Sequence, residues 1–328
     1  MTVTPQTNTT LEEIADVLRR ADSVIITGHV SPDGDCIGSQ LALSHALKSL
    51  GKKVTGLLAE NSPVDETLSY LPGASELIVA PEEVLTADAF VAVDVPTHER
   101  MGRAARHHQA CSCTITIDHH AVDDRVSDYT YVDPDVAATT MLIWRLAHLL
   151  NDAIPREVSQ CCYTGLLTDT GGFQFQNADY DAFATAADMV AAGADPVISA
   201  QHAYQSISLA TMRLSSIAID RAVFVREGAG VVSWITEKDM ARYGACKADL
   251  DPLIDTLRSI RGVRIACIVR EQDGAIRGSL RAKDATDVSA IARRHNGGGH
   301  VAASGFRMEG AIEDAVSTMA AELEAALS

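Results

Sequence analysis

Short apolar runs that stop beside an acid or a histidine limit the fold of this chain more than any other feature. The runs are Val24–Thr27, Val54–Leu58, Leu77–Val79, Ala89–Val93 and Thr114–Ile117. Helix-period patterns fall between them: Leu11, Ile14, Ala15 and Leu18 after Thr10, then Leu41 through Leu50, which Gly51 ends. Strands alternating with helices imply a parallel sheet with right-handed crossovers and helices on both faces. Ala89–Val93 is unbroken apolar, the pattern of a strand buried on both sides. Such a sheet collects ligands at the carboxyl ends of its strands, which is where the polar residues fall here.

The first of these ends is the densest. In Gly28-His29-Val30-Ser31-Pro32-Asp33-Gly34-Asp35-Cys36-Ile37-Gly38-Ser39 one imidazole and two carboxylates crowd into a turn ahead of a helix. Carboxylates this close repel unless a cation lies among them, and oxygen ligands with one histidine suit a hard or borderline divalent metal. A turn of ordinary turn residues is the plain alternative. Asp94 directly follows the fourth run. It either caps the next turn or ligates, and the cost of burying a lone carboxylate favours ligation. Asp118-His119-His120 closes the fifth run, with one imidazole for a metal, one for a substrate and an acid to orient a ring. Helices are expected from about Val136 to Leu150 and from Pro155 to about Leu167. Asp169, just past the second, opposes the helix dipole, so solvent or a bound cation must compensate it.

Two domains are the better prior for 328 residues. Asp195-Pro196 opens a helical stretch that runs with one break to about Arg221. We therefore divide the chain into a first domain (1–192), a helical connector (193–221) and a second domain (222–328). The second reads as a smaller mixed-sheet α/β domain, with strands Val223–Arg226, Val231–Ile235, Arg264–Arg270, Ala275–Ala282 and Ser304–Met308. Charge divides in a related way. Residues 1–220 carry a net −17, residues 221–328 a net zero, and residues 255–307 a net +5. The acidic part could hold metal ions and the basic stretch an anion, unless Arg258, Arg261 and their neighbours merely line a solvated face. Within that stretch, Asn296-Gly297-Gly298-Gly299-His300 would let backbone N–H groups approach an anion, with His300 and Arg281 adding charge-assisted bonds. A simple glycine turn is the alternative.

Seven cysteines without a secretory leader imply reduced thiols and a cytoplasmic protein. Cys111-Ser112-Cys113 and Cys161-Cys162 lack zinc-ribbon spacing and read as packing residues. No apolar run is long enough for a membrane span. A net charge of −17 and only 15 aromatic residues argue against long nucleic acids.

Taken together, His29-x3-Asp33-x-Asp35, Asp94, Asp118-His119-His120, Asp169 and the later Gly-Gly-Gly-His resemble the DHH phosphoesterase superfamily with a C-terminal DHHA1 domain. The resemblance covers nearly the whole chain, and the layout is most similar to the stand-alone oligoribonuclease and phosphoadenosine-phosphate phosphatase (nanoRNase-type) branch. It implies a Rossmann-like catalytic domain with two Mn2+ ions. His29, Asp33 and Asp94 look like ligands of one ion; Asp35, Asp94, His119 and Asp169 look like ligands of the other, with Asp94 bridging. Asp118 is similar to the family's supporting acid and His120 to the histidine that faces the scissile phosphate. Arg281 and Gly297, Gly298, Gly299 and His300 look like the substrate-binding part, facing the metals across a cleft. Ala282 stands where family members often have Ser, so a phosphate contact is missing or supplied elsewhere. Cys36 occupies a usually small position and is read as structural.

The resemblance implies hydrolysis of RNAs of a few nucleotides, and of the 3′-phosphate of 3′-phosphoadenosine 5′-phosphate (pAp). Cyclic di-AMP or its linear product pApA would use the same chemistry. A catalytically silent nucleotide-binding regulator would not need all six metal ligands, and the length disfavours a DNA exonuclease. Oligomeric state stays open, a homodimer included.

Overall fold

The computed structural model describes residues 6–121, 125–272, 274–299 and 301–327. The chain divides into two compact units, one ending at Ser206 and the other beginning at Ile207.

The first unit carries six strands: β1 (Ser23–Thr27), β2 (Lys53–Leu58), β3 (Ile78–Val79), β4 (Ala89–Val93), β5 (Thr114–Asp118) and β6 (Tyr129–Val132). Their order is β3-β2-β1-β4-β5-β6, and every pairing is parallel. The chain winds outward from β1 to β3, then returns to lay β4 on the other side of β1. That reversal is a topological switch point, and the crevice at its carboxyl end is where an open α/β sheet holds ligands.

Seven helices accompany this sheet among the described residues: α1 (Leu11–Arg20), α2 (Gly34–Ser49), α3 (Ala105–Ala110), α4 (Thr139–Leu150), α5 (Arg156–Asp169), α6 (Tyr180–Ala191) and α7 (Pro196–Tyr204). α1 starts with a capping box in which Thr10 and Glu13 bond each other's backbone N–H. One face of the sheet packs a large core from α1, α2, α4 and α5 around Ile26, Val91 and Ile117. The other face is covered by a smaller cluster that includes Phe90, Val95, Met101 and Ala104. α2 is buried on almost every side, because sheet, α4 and α5 all press on it. Glycines permit this: a Cβ on Gly38 would lie 2.6 Å from the Cys161 carbonyl oxygen, and one on Gly165 would lie 2.4 Å from Thr140 Cγ2.

β6, α3 and α6 have no counterpart in the reading of the sequence. β6 is four residues that alternate Tyr-Thr-Tyr-Val, too short for a periodicity to stand out. α4 starts at Thr139 rather than Val136, because Ala138 is still extended, and Pro155 precedes α5 rather than opening it. The stretch expected as a connector is shared: α7 lies in the first unit and α8 (Leu209–Asp220) in the second.

In the second unit α8 is followed by β7 (Val223–Val225), β8 (Gly230–Ile235), α9 (Glu237–Tyr243), α10 (Leu253–Arg258), β9 (Ile265–Gln272), β10 (Ala275–Ala282), α11 (Val288–Arg294), β11 (Gly298–Gly299), β12 (Ala303–Met308) and α12 (Ile312–Ala326). The sheet order is β11-β12-β10-β9-β8-β7, parallel between β8 and β9 and antiparallel elsewhere. α11 and α12 fill one face and α8 and α10 the other. No helix among the described residues is long and apolar enough to cross a membrane.

Candidate metal centre

The residues picked out at three strand ends and one helix end converge at the switch point. After β1, Asp33 is the N-cap of α2: its Oδ1 accepts from the Cys36 N–H at 3.0 Å, and its Oδ2 lies 3.8 Å from His29 Nε2. His29 is buried, with its Nε2 3.2 Å from Asp94 Oδ2. Asp94, immediately after β4, has a left-handed backbone (φ 59°) that a non-glycine residue adopts only under constraint. Its N–H donates to the Ile117 carbonyl, which ties it to β5.

After β5, Asp118 Oδ1 accepts from the His119 N–H at 2.8 Å and lies 2.8 Å from His120 Nδ1. The acid therefore orients the next two residues, as a supporting acid does. His119 Nε2 sits 3.7 Å from Asp94 Oδ1 and 3.6 Å from Asp169 Oδ2. Asp169 is the last residue of α5. It meets Asp35, at the start of α2, because the glycine contacts let these two helices cross closely. Asp35, His119 and Asp169 form one group of ligand atoms within 4.8 Å of one another, and Asp94, His119 and His120 another.

Four residues at this centre were not assigned a site role from the sequence. Thr139 and Thr140 open α4 and hold Asp35: its Oδ2 accepts from the Thr139 N–H (2.6 Å), and its Oδ1 accepts from the Thr140 N–H (2.9 Å) and hydroxyl (2.7 Å). The Thr139 hydroxyl also donates to Asp94 Oδ1 at 2.9 Å. Paired threonines at an expected helix start were the available signal. An Arg100 guanidinium nitrogen lies 2.9 Å from His29 Nδ1, a contact with no local sequence signature. Cys36, read as structural, has its sulfur against His29, and His29, Cys36 and Asp94 form a third potential ligand group.

Charge crowding at this centre is visible in its proton affinities. Burial, then the Asp94 and Asp33 charges, push Asp35 up to about 7, although His119 and Thr140 pull the other way. Burial and the Asp35, Asp33 and Asp94 charges raise Asp169 well above the usual carboxylate range. Asp94 moves oppositely: burial is outweighed by its hydrogen bond to His29 and by the charges of His119, His29 and His120, which hold it low. Burial also opposes protonation of the three histidines, yet all three are raised. Cys36, Asp94 and Asp33 push His29 up to about 12, Asp94, Asp35 and Asp118 raise His119, and Asp118 and Asp94 raise His120. Such a cluster binds protons where divalent cations would otherwise compensate the carboxylates. The donor set is carboxylate oxygen and imidazole nitrogen, and Asp118 Oδ2 is buried with no hydrogen-bond partner among the described residues. The residues fit a divalent metal.

In the second unit, Arg281 lies near the end of β10 and donates to the Leu280 carbonyl at 3.0 Å. Burial and the neighbouring Arg258 and Arg270 lower its proton affinity against the pull of Asp255 and Asp251. Ala282 packs in the core cluster of this unit, where a serine hydroxyl would have to find a partner. Gly298 and Gly299 form β11 against Gly305 and Ser304 of β12. The Gly297 N–H donates to the Ala292 carbonyl, and a Cβ there would lie 2.1 Å from the Gly305 oxygen. Close passage of two backbones thus accounts for Gly297, and its N–H is already used. His300 lies outside the described residues.

Residues 23–166 match the DHH family, N-terminal domain, and residues 228–328 match the DHHA1 domain. The chain is 28% identical over 298 residues to the bifunctional oligoribonuclease and PAP phosphatase NrnA of Thermus thermophilus, covering 90% of this chain and 88% of that protein. It is 24% identical over 296 residues to the protein of the same name from Bacillus subtilis, covering 89% and 91%. The crystal structure of an exopolyphosphatase-related protein from Bacteroides fragilis superposes with a TM-score of 0.87 at 26% identity, covering 95% of each chain.

Proposed function

We infer, since this chain belongs to the DHH family and carries a C-terminal DHHA1 domain, that it is a Mn2+-dependent, two-metal phosphoesterase. Its proposed substrates are RNAs of a few nucleotides and the 3′-phosphate of pAp. The observation that carries this reading is the convergence of His29, Asp33, Asp35, His119 and Asp169 around Asp94. The names of the relatives from T. thermophilus and B. subtilis support the choice of substrate.

His29, Asp33 and Asp94 would hold one ion and Asp35, Asp94, His119 and Asp169 the other. Two such ions, when bound, would supply water activation and charge stabilisation for an in-line displacement at phosphorus. The chain's residues do the rest. Thr139 and Thr140 fix the Asp35 carboxylate, so a metal meets a preset ligand and not a mobile one. Asp118 and Asp94 raise the affinity of His120 for a proton, which suits it to donate to a phosphate oxygen. Arg281, with its charge close to those of Arg258 and Arg270, would bind another phosphate of the nucleotide. The protein would act in the cytoplasm, as a monomer or a homodimer.

The test incubates purified protein and Mn2+ with equimolar short RNA, pAp and cyclic di-AMP, followed by chromatography. Loss of RNA and pAp is expected, with D33A and H119A folded but inactive. Preferential loss of cyclic di-AMP would replace the substrate assignment. Full activity of either variant would end the metal assignment.

A further inference from the structure

Cys36 lies at the third position of α2, is fully buried, and has a role that the phosphoesterase reading does not use. Its sulfur accepts from the His29 N–H at 3.2 Å. It occupies space left by a glycine: a Cβ on Gly28 would fall 2.1 Å from the sulfur. One ligand atom each of His29, Cys36 and Asp94 lie within 4.8 Å of one another, and His29 Nε2 is 3.2 Å from Asp94 Oδ2. A tetrahedral zinc with ordinary Zn–N, Zn–O and Zn–S bonds spaces its ligand atoms about 3.3–3.6 Å apart. The nitrogen and oxygen stand close to that spacing at 3.2 Å, and the sulfur belongs to the same group of ligand atoms within 4.8 Å.

We propose that Cys36 is a sulfur ligand for the metal position at His29 and Asp94, and that this position takes a thiophilic divalent ion, zinc or cobalt, in preference to manganese. Ligand softness supplies the reason: imidazole and carboxylate alone accept Mn2+, whereas an added thiolate shifts selection toward zinc. On binding, the Cys36 S–H proton leaves to bulk water as the metal–sulfur bond forms, and nothing is oxidised. Zinc would then compete with the manganese that supports turnover. This inference rests on the metal centre proposed above, and its test separates the two.

The test is a Co2+ titration of metal-free full-length protein, with C36S and C36A alongside, read by visible ligand-field bands and by the near-ultraviolet thiolate-to-cobalt charge-transfer band. The expected result is a thiolate band with the first equivalent of Co2+, absent from both variants. Zinc affinity by chelator competition should fall about tenfold or more in the variants, with Mn2+ affinity nearly unchanged. Cobalt bound with ligand-field bands but no thiolate band would overturn the proposal and leave the metal centre standing. The same would follow from a thiolate band that persists in C36S, which would place it at another cysteine. No cobalt binding to the unmodified protein would overturn both.

Discussion

Raising the pH on metal-free protein should destabilise the first unit, and Asp35 sets the size of the effect. Its carboxyl binds its proton up to about pH 7 in the fold, against 3.8 as the ordinary value. Between these values the folded chain holds a proton that the unfolded chain has released, so stability falls with rising pH by up to about 1.4 kcal/mol per unit. Over the whole interval this amounts to about 4 kcal/mol, complete just above pH 7. Asp169 acts in the same direction. The raised histidines extend the decline above pH 6.5, since their stabilising protonation is full below that value and is lost as pH climbs through their folded-state values. For a unit of this size the Asp35 contribution corresponds to a melting temperature lower by about 10 °C. Differential scanning calorimetry on chelator-treated protein from pH 4.5 to 8 measures this, with D35N as the control that should flatten the slope below pH 7. Mn2+ should restore most stability at the alkaline end, where its ligands are deprotonated. A metal-free melting temperature that stays level or rises over this range, or an unchanged slope in D35N, would refute the electrostatic account of the centre.

Other consequences are as direct. D118N removes the charge that orients His119 and His120 and raises the affinity of His120 for its proton. Turnover should fall by about tenfold or more, and the alkaline limb of the pH–rate profile should move to lower pH. G38A forces a methyl group to within 2.6 Å of the Cys161 carbonyl oxygen and pushes α5 from α2. It should cost about 1–3 kcal/mol in urea unfolding and weaken Mn2+ binding by calorimetry, because Asp35 and Asp169 separate. R281Q should raise KM for pAp about tenfold or more while leaving the Mn2+ affinity of the first unit unchanged.

Most of the convergence was legible because each candidate ligand follows a strand or a helix whose end the sequence marks. Asp94 and Asp118-His119-His120 come straight after buried β4 and within or after β5, and Asp169 ends α5. Nothing local announced the partners that hold these side chains. Arg100 meets His29 from a 3-10 helix (His98–Ala104) that follows the central strand β4, 71 residues along the chain, and Thr139 and Thr140 reach Asp35 from 104 and 105 residues away. The glycine run shows the opposite limit. Its residue types allowed either an anion cradle or a plain turn, and only the pairing with β12 reveals that backbone crowding already requires Gly297.

Stability and function pull against each other at the switch point, and the start of α4 is where they are reconciled. Asp94 in a left-handed conformation carries backbone strain, of order 1–3 kcal/mol for such residues. Asp35 and Asp169 add like charge in a buried place. The first turn of α4 offsets part of this with two backbone N–H groups and a hydroxyl on Asp35 and a second hydroxyl on Asp94, at the positive end of its dipole. This support is fixed and partial. It holds the carboxylates in place without neutralising them, so the remaining attraction is available to a divalent metal of the kind proposed.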